Sequence, residues 1–111
     1  MAGQFVGIDL HKHRSVIVRA DAEGNRIETV RIENDPVALK KVIAEAGPEP
    51  EVVIEATAGW YWAVDALLEV GAKVHLAHPL GLNWGHRRVK NDERDAADLI
   101  DMLRLGRLPE S

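Results

Sequence analysis

Four carboxylates fall where the chain's own pattern calls for apolar side chains. Asp9 interrupts the apolar run VGIDLH, and Glu55 closes VVIE, both stretches rich in strand-forming residues. Acids are rarely buried in strands unless something neutralises them. Asp92 and Asp95 open the segment KNDERDAADLIDMLRLG, which spans 90–106. On a helix advancing about 100° per residue they crown the face that carries Ala96, Leu99 and Leu103, while Glu93, Asp98 and Asp101 turn toward solvent. Four converging carboxylates repel, and stay partly protonated or splay apart unless a cation joins them. Mg²⁺, with Mn²⁺ as its substitute, prefers such oxygen ligands, and a pair of these ions activates a nucleophile and stabilises a leaving oxygen in phosphoryl transfer. The plain alternative explains each acid locally. Acids in a first helical turn behind an Asn91 cap complement the helix dipole, and acids at strand ends reach water.

Eight elements must position these groups. Residues 4–11, 14–21 and 26–34 read as three strands, with AEGN supplying the second turn and Ile27, Thr29 and Arg31 alternating against Glu28, Val30 and Ile32. Together they predict an antiparallel meander. A helix follows, with Asn34 or Asp35 as N-cap, Pro36 in the first turn, apolar Val37, Leu39, Val42, Ile43 and Ala46, and a stop at Gly47. Residues 48–56 form a short strand whose Val52, Val53 and Ile54 are continuous enough to be buried on both faces. The pattern then predicts a helix over 58–70, opened by Trp60, Tyr61 and Trp62, of which at least one belongs to the core. A fifth strand over 72–79 is closed by Pro79, residues 80–90 are irregular, and the acid-headed helix stops at Gly106. The order β-β-β-α-β-α-β-α predicts an α/β fold with a mixed five-stranded sheet and helices on its faces. If the first and fourth strands are neighbours, Asp9 and Glu55 lie side by side, with the last helix laying Asp92 and Asp95 over them.

Composition bounds the rest. A chain of 111 residues with 46% hydrophobic and 29% charged residues is long enough for one folded core and too apolar to be globally disordered. The absence of cysteine excludes disulfides, thiolate chemistry and cysteine-bound zinc. The five histidines lack the His-x-x-x-His face of a helical zinc site and read as structural or nucleic-acid-facing. Nothing resembles a membrane span or secretory signal, so the expected location is cytoplasmic, with no membrane partner. A net charge of -4 argues against a free-standing nucleic-acid binder, yet HKHR at 11–14 and HRRVK at 86–90 are basic islands. Arg87, Arg88 and Lys90 precede the acid-headed helix, where a basic loop neutralises phosphates, and Trp84 offers a ring on which a base could stack. The alternative there is a solvated basic loop. The closing RLPES reads as the start of a connection, so the expectation is a fragment of a longer protein.

GIDLHK at 7–12, EATAGWY at 55–61, HP at 78–79 and KNDERDA at 90–96 resemble the N-terminal domain of the DEDD-type insertion-sequence transposases, the serine-assisted, bridge-RNA-guided recombinases. The resemblance runs over essentially the whole chain, with the four acids in the family's order. It implies a RuvC-like ribonuclease H fold, a Mg²⁺-binding catalytic tetrad of Asp9, Glu55, Asp92 and Asp95, and Lys12 near phosphate or a tetrad acid. Asn91 stands where the family usually has Thr, and since both cap helices the assignment of the acids survives. The resemblance further implies DNA cleavage and strand exchange directed by a structured guide RNA, several subunits acting together, and a separate C-terminal domain bearing the serine nucleophile. Neither Ser15 nor Ser111 lies in a matching motif, so no nucleophile is assigned within this chain and the isolated domain is expected to be inactive. Two other readings compete: a non-catalytic RNA- or DNA-binding assembly module, and a sugar-kinase or actin-like nucleotide-binding domain. Against the latter, Leu10 and His11 follow Asp9 where glycines would admit a phosphate.

Overall fold

The computed structural model describes residues 4–55, 59–77 and 92–107, and the side chains of all of these except 92–95. Strands β1 (Phe5–Leu10), β2 (Arg14–Ala20) and β3 (Arg26–Glu33) are followed by helix α1 (Pro36–Ala44), strand β4 (Glu51–Glu55), helix α2 (Tyr61–Glu69), strand β5 (Lys73–Ala77) and helix α3 (Asp92–Arg104). They form one five-stranded sheet in the order β3-β2-β1-β4-β5. β1 pairs antiparallel with β2 and parallel with β4, and β4 pairs parallel with β5. The expected mixed sheet is therefore present, with helices on both faces.

Alternation along the strands decides which face each residue serves. Val6 and Ile8 of β1, Ile17 of β2, and Val52 and Ile54 of β4 pack with Leu39, Val42 and Ile43 of α1 and Ala63, Ala66 and Leu67 of α2. Val18 and Ala20 of β2, Val53 of β4 and Ala77 of β5 instead meet Ala96, Leu99 and Ile100 of α3. Val52, Val53 and Ile54 are all fully buried, as a strand sandwiched between two helical layers requires.

Local chemistry sets the helix ends. The Asp35 carboxylate accepts from the Ala38 backbone N–H at 3.0 Å, and Pro36 follows it in the first turn. Asp35, not Asn34, is the cap. Val37 is 61% exposed, contrary to the stripe expected of it, because it sits two residues before buried Leu39 and so points to the opposite side of α1. Helix α2 opens at Tyr61, later than predicted, after Gly59 takes a positive φ of 83° that breaks the helical path. Of its three aromatics Trp62 joins the core edge, while Trp60 and Tyr61 stack with ring centroids 4.0 Å apart and Tyr61 is exposed. Lys40 of α1 and Glu69 of α2 form an ion pair across the two helices.

Candidate metal centre

The candidate centre lies at the carboxyl ends of β1 and β4, where open α/β sheets present the loops that bind ligands. Cα partners along these strands run Gly7 with Val53 and Ile8 with Ile54. The next step of that register sets Asp9 alongside Glu55, on strands about 4.8 Å apart. Both acids share the parity of Gly7 and Val53, so both belong to the α3 side of the sheet. Each is half-buried, the Asp9 side chain being 14% exposed.

Gly7 explains how α3 comes so near. A Cβ there would run into the Ala96 carbonyl oxygen and come within 2.9 Å of Ile100 Cγ1. Only a residue without a side chain lets the helix backbone touch the strand, and Ala96 supplies the matching small residue on the helix. At the other end of α3, the Arg104 side chain rests over Gly24 in the β2–β3 turn, beyond the amino end of β1. Helix α3 thus runs obliquely back along β1, with its N-terminal turn at the strand's carboxyl end. Asp92 precedes Ala96 by about 6 Å of helix rise, and Asp9 follows Gly7 by about 6.6 Å of strand in the same direction. The backbone of Asp92 therefore stands near the level of Asp9, and that of Asp95, about 1.5 Å of rise before Ala96, between the levels of Gly7 and Asp9.

The remaining expectations divide by location. Lys12 is exposed at the tip of the β1–β2 hairpin. Trp84, Arg87, Arg88 and Lys90 lie outside the described residues, as do the side chains of Asp92 and Asp95. Among the described residues there is no set of three or more His, Asp or Glu side chains arranged to hold a metal ion. Ala96, Leu99 and Ile100 form the buried stripe of α3. Asp101 is exposed as expected, whereas Asp98 is half-buried and engaged with a partner, a correction to its expected solvation. The Ser15 hydroxyl, which matched no nucleophile motif, is buried and donates to Asn34 Oδ1 at 2.6 Å.

One residue of the centre escaped the pattern of acids. His11 Nε2 lies 2.7 Å from Asp9 Oδ2, with the histidine side chain 48% exposed. The i, i+2 spacing that puts both on one side of an extended chain was the available signal. The connection after β1 is a tight hairpin in which the His11 N–H donates to the Arg14 carbonyl at 3.0 Å, leaving no wide phosphate loop behind Asp9.

Comparison with known proteins bears on the fold and the family. Two solved structures share the fold: Thermus thermophilus RuvC in complex with a Holliday junction substrate, with a TM-score of 0.70 at 13% identity over 97% of this chain and 99% of that one, and a second Thermus thermophilus RuvC structure, with a TM-score of 0.69 at 14% identity over the same shares. The sheet and its helices are therefore RuvC-like, a ribonuclease H-like fold. No curated protein sequence matches the chain. Among the described residues no helix is long and apolar enough to cross a membrane. Residues 6–111 match the family described as transposase, the DEDD transposases of the IS110 group. With that match spanning nearly its whole length and RuvC-like architecture beneath it, the chain belongs to the DEDD transposase family.

Proposed function

We propose that the chain is the metal-dependent catalytic domain of a DNA transposase, with Asp9, Glu55, Asp92 and Asp95 holding Mg²⁺, and Mn²⁺ able to replace it. The observation that carries this reading is the seating of α3 on Gly7, which brings the N-terminal turn of that helix to the strand ends bearing Asp9 and Glu55. Carboxylates about 5 Å apart repel by on the order of 3 kcal/mol at an effective dielectric near 20, so a cluster on rigid strands favours a cation. The donor set, all hard oxygen, fits Mg²⁺ or Mn²⁺ and not zinc. When bound, such ions activate the attacking oxygen and stabilise the leaving oxygen of a phosphodiester.

The protein's own part is to hold the four acids on elements that do not yield: two on adjacent strands, two on a helix locked to the sheet. Lys12 on the hairpin, and Trp84, Arg87, Arg88 and Lys90 ahead of α3, are the residues we assign to nucleic-acid backbone and bases. The complex of the RuvC neighbour with a Holliday junction supports branched DNA as the kind of substrate. From the family we further infer that a structured guide RNA selects the sites, that a C-terminal domain carries the serine nucleophile, and that more than one subunit assembles around the DNA.

Anomalous diffraction from crystals soaked in Mn²⁺ tests the centre. A peak bounded by Asp9, Glu55, Asp92 and Asp95 is expected, and Asp95→Asn should remove it without unfolding the chain. Four carboxylates lying far apart in an ordered crystal would overturn the tetrad.

A further inference from the structure

We propose that His11 is a positioning residue for Asp9, and that Asn34 with Ser15 holds His11 in place through the β1–β2 hairpin. The inference rests on the reading of Asp9 as a metal ligand. Its observations are separate from that reading. His11 Nε2 approaches Oδ2 of Asp9 at 2.7 Å. With the ring proton on Nε2, His11 donates to that oxygen and restrains rotation of the carboxylate.

What aims the imidazole is a chain of bonds reaching in from the end of β3. Asn34 Nδ2 donates to the His11 carbonyl at 2.6 Å. The Asn34 backbone N–H donates to the His13 carbonyl at 2.9 Å, and the His11 N–H donates to Arg14 at 3.0 Å. Ser15 Oγ, in a side chain that is almost wholly buried, then donates to Asn34 Oδ1 at 2.6 Å and fixes the amide. Asn34 is free for this task because Asp35 caps α1. The hairpin tip itself, Lys12 and His13, is exposed and offers no apolar packing, so hydrogen bonds hold it. Sequence positions 9, 11, 15 and 34 thereby become one unit. It starts in a buried hydroxyl and ends on the carboxylate.

The test is Mn²⁺ affinity of the 111-residue chain, read by electron paramagnetic resonance and accompanied by thermal unfolding. Asp9→Asn should abolish binding. Loss of a group that orients a ligand weakens metal binding by about 10- to 100-fold, and His11→Ala should fall in that range with its melting temperature unchanged. His11→Gln, whose amide N–H reaches the same oxygen, should recover part of the loss. Asn34→Ala should weaken binding in the same direction while His11 is still present. Spin-echo spectra of the bound Mn²⁺ should show no directly coordinated imidazole nitrogen. Wild-type affinity in His11→Ala alongside loss in Asp9→Asn overturns the positioning role and leaves the metal centre standing. So does a coordinated nitrogen, which would make His11 a ligand itself, or a His11→Gln variant no better than alanine. Absence of Mn²⁺ binding by the wild-type chain overturns both readings together.

Discussion

Along β1, Val6 and Ile8 face α1 and α2 and are fully buried among leucine, isoleucine and valine, whereas Gly7 and Asp9 face α3 across a seam of glycine and alanine. One strand thus serves two purposes by alternation. Among the described residues the α1–α2 side gathers thirteen buried residues and the α3 side seven. Burying a large aliphatic side chain is worth about 1.5–3 kcal/mol, so among the described residues the first side contributes the larger share. The second gives up apolar volume for proximity. At Gly7 the backbone of α3 reaches the strand, and on the same side stand the acids of β1 and β4. The contrast teaches that small residues on one face of a strand can mark where a fold brings polar groups together.

The largest effect should come from the apolar side. Leu67→Ala removes a fully buried side chain from the α1–α2 core and should cost about 2–5 kcal/mol in urea unfolding. Under folding conditions its Mn²⁺ affinity should match the wild type; a matching loss of affinity would show that the two faces are not separable. Gly7→Ala should act the other way round. The added methyl meets a backbone carbonyl that cannot swing aside, so a cost of about 1–3 kcal/mol is expected. Because α3 must shift, Mn²⁺ binding should fall far more than for Leu67→Ala, although less stability is lost.

The smallest effect concerns the turn under the far end of α3. The Asn25 backbone N–H, with further bonds from the Asn25 side chain and the Glu23 N–H, holds the Asp21 carboxyl below its ordinary value of 3.8. A depressed folded-state value means stability that is present above the ordinary value and lost as pH falls through the lowered one. Urea midpoints followed downward through that acid window should therefore decline less steeply in Asp21→Asn than in the wild type. Asp21 lies in a surface turn where solvent screens it, so the difference will be slight. A steeper decline in the variant would reverse the sign.

Much of this architecture was legible because its signals are local. Period-two alternation, the Asp35–Pro36 helix start and the apolar stripe of α3 are properties of a few consecutive residues, and they fixed the element order and singled out Asp9 and Glu55 as acids out of place. The exposure of Val37 follows from its position two residues before Leu39 on α1, whereas the partial burial of Asp98 depends on neighbouring elements that its helical period does not reveal. Pairing is another matter. That β1 lies parallel to β4, some forty residues further along the chain, follows from closing a long loop around α1, and only the packed core selects that closure over others. The direction of α3 depends on the fit of Ala96 to Gly7. The alliance of Ser15, Asn34 and His11 joins residues at the ends of β1, β2 and β3. By itself the sequence determined the elements, the six-residue motif around Asp9 and the kind of chemistry four acids suggest. Tertiary structure alone decided which acids share a strand end, which helix stands over them and which histidine reaches Asp9, because those relations arise from contacts between distant segments that no local period encodes.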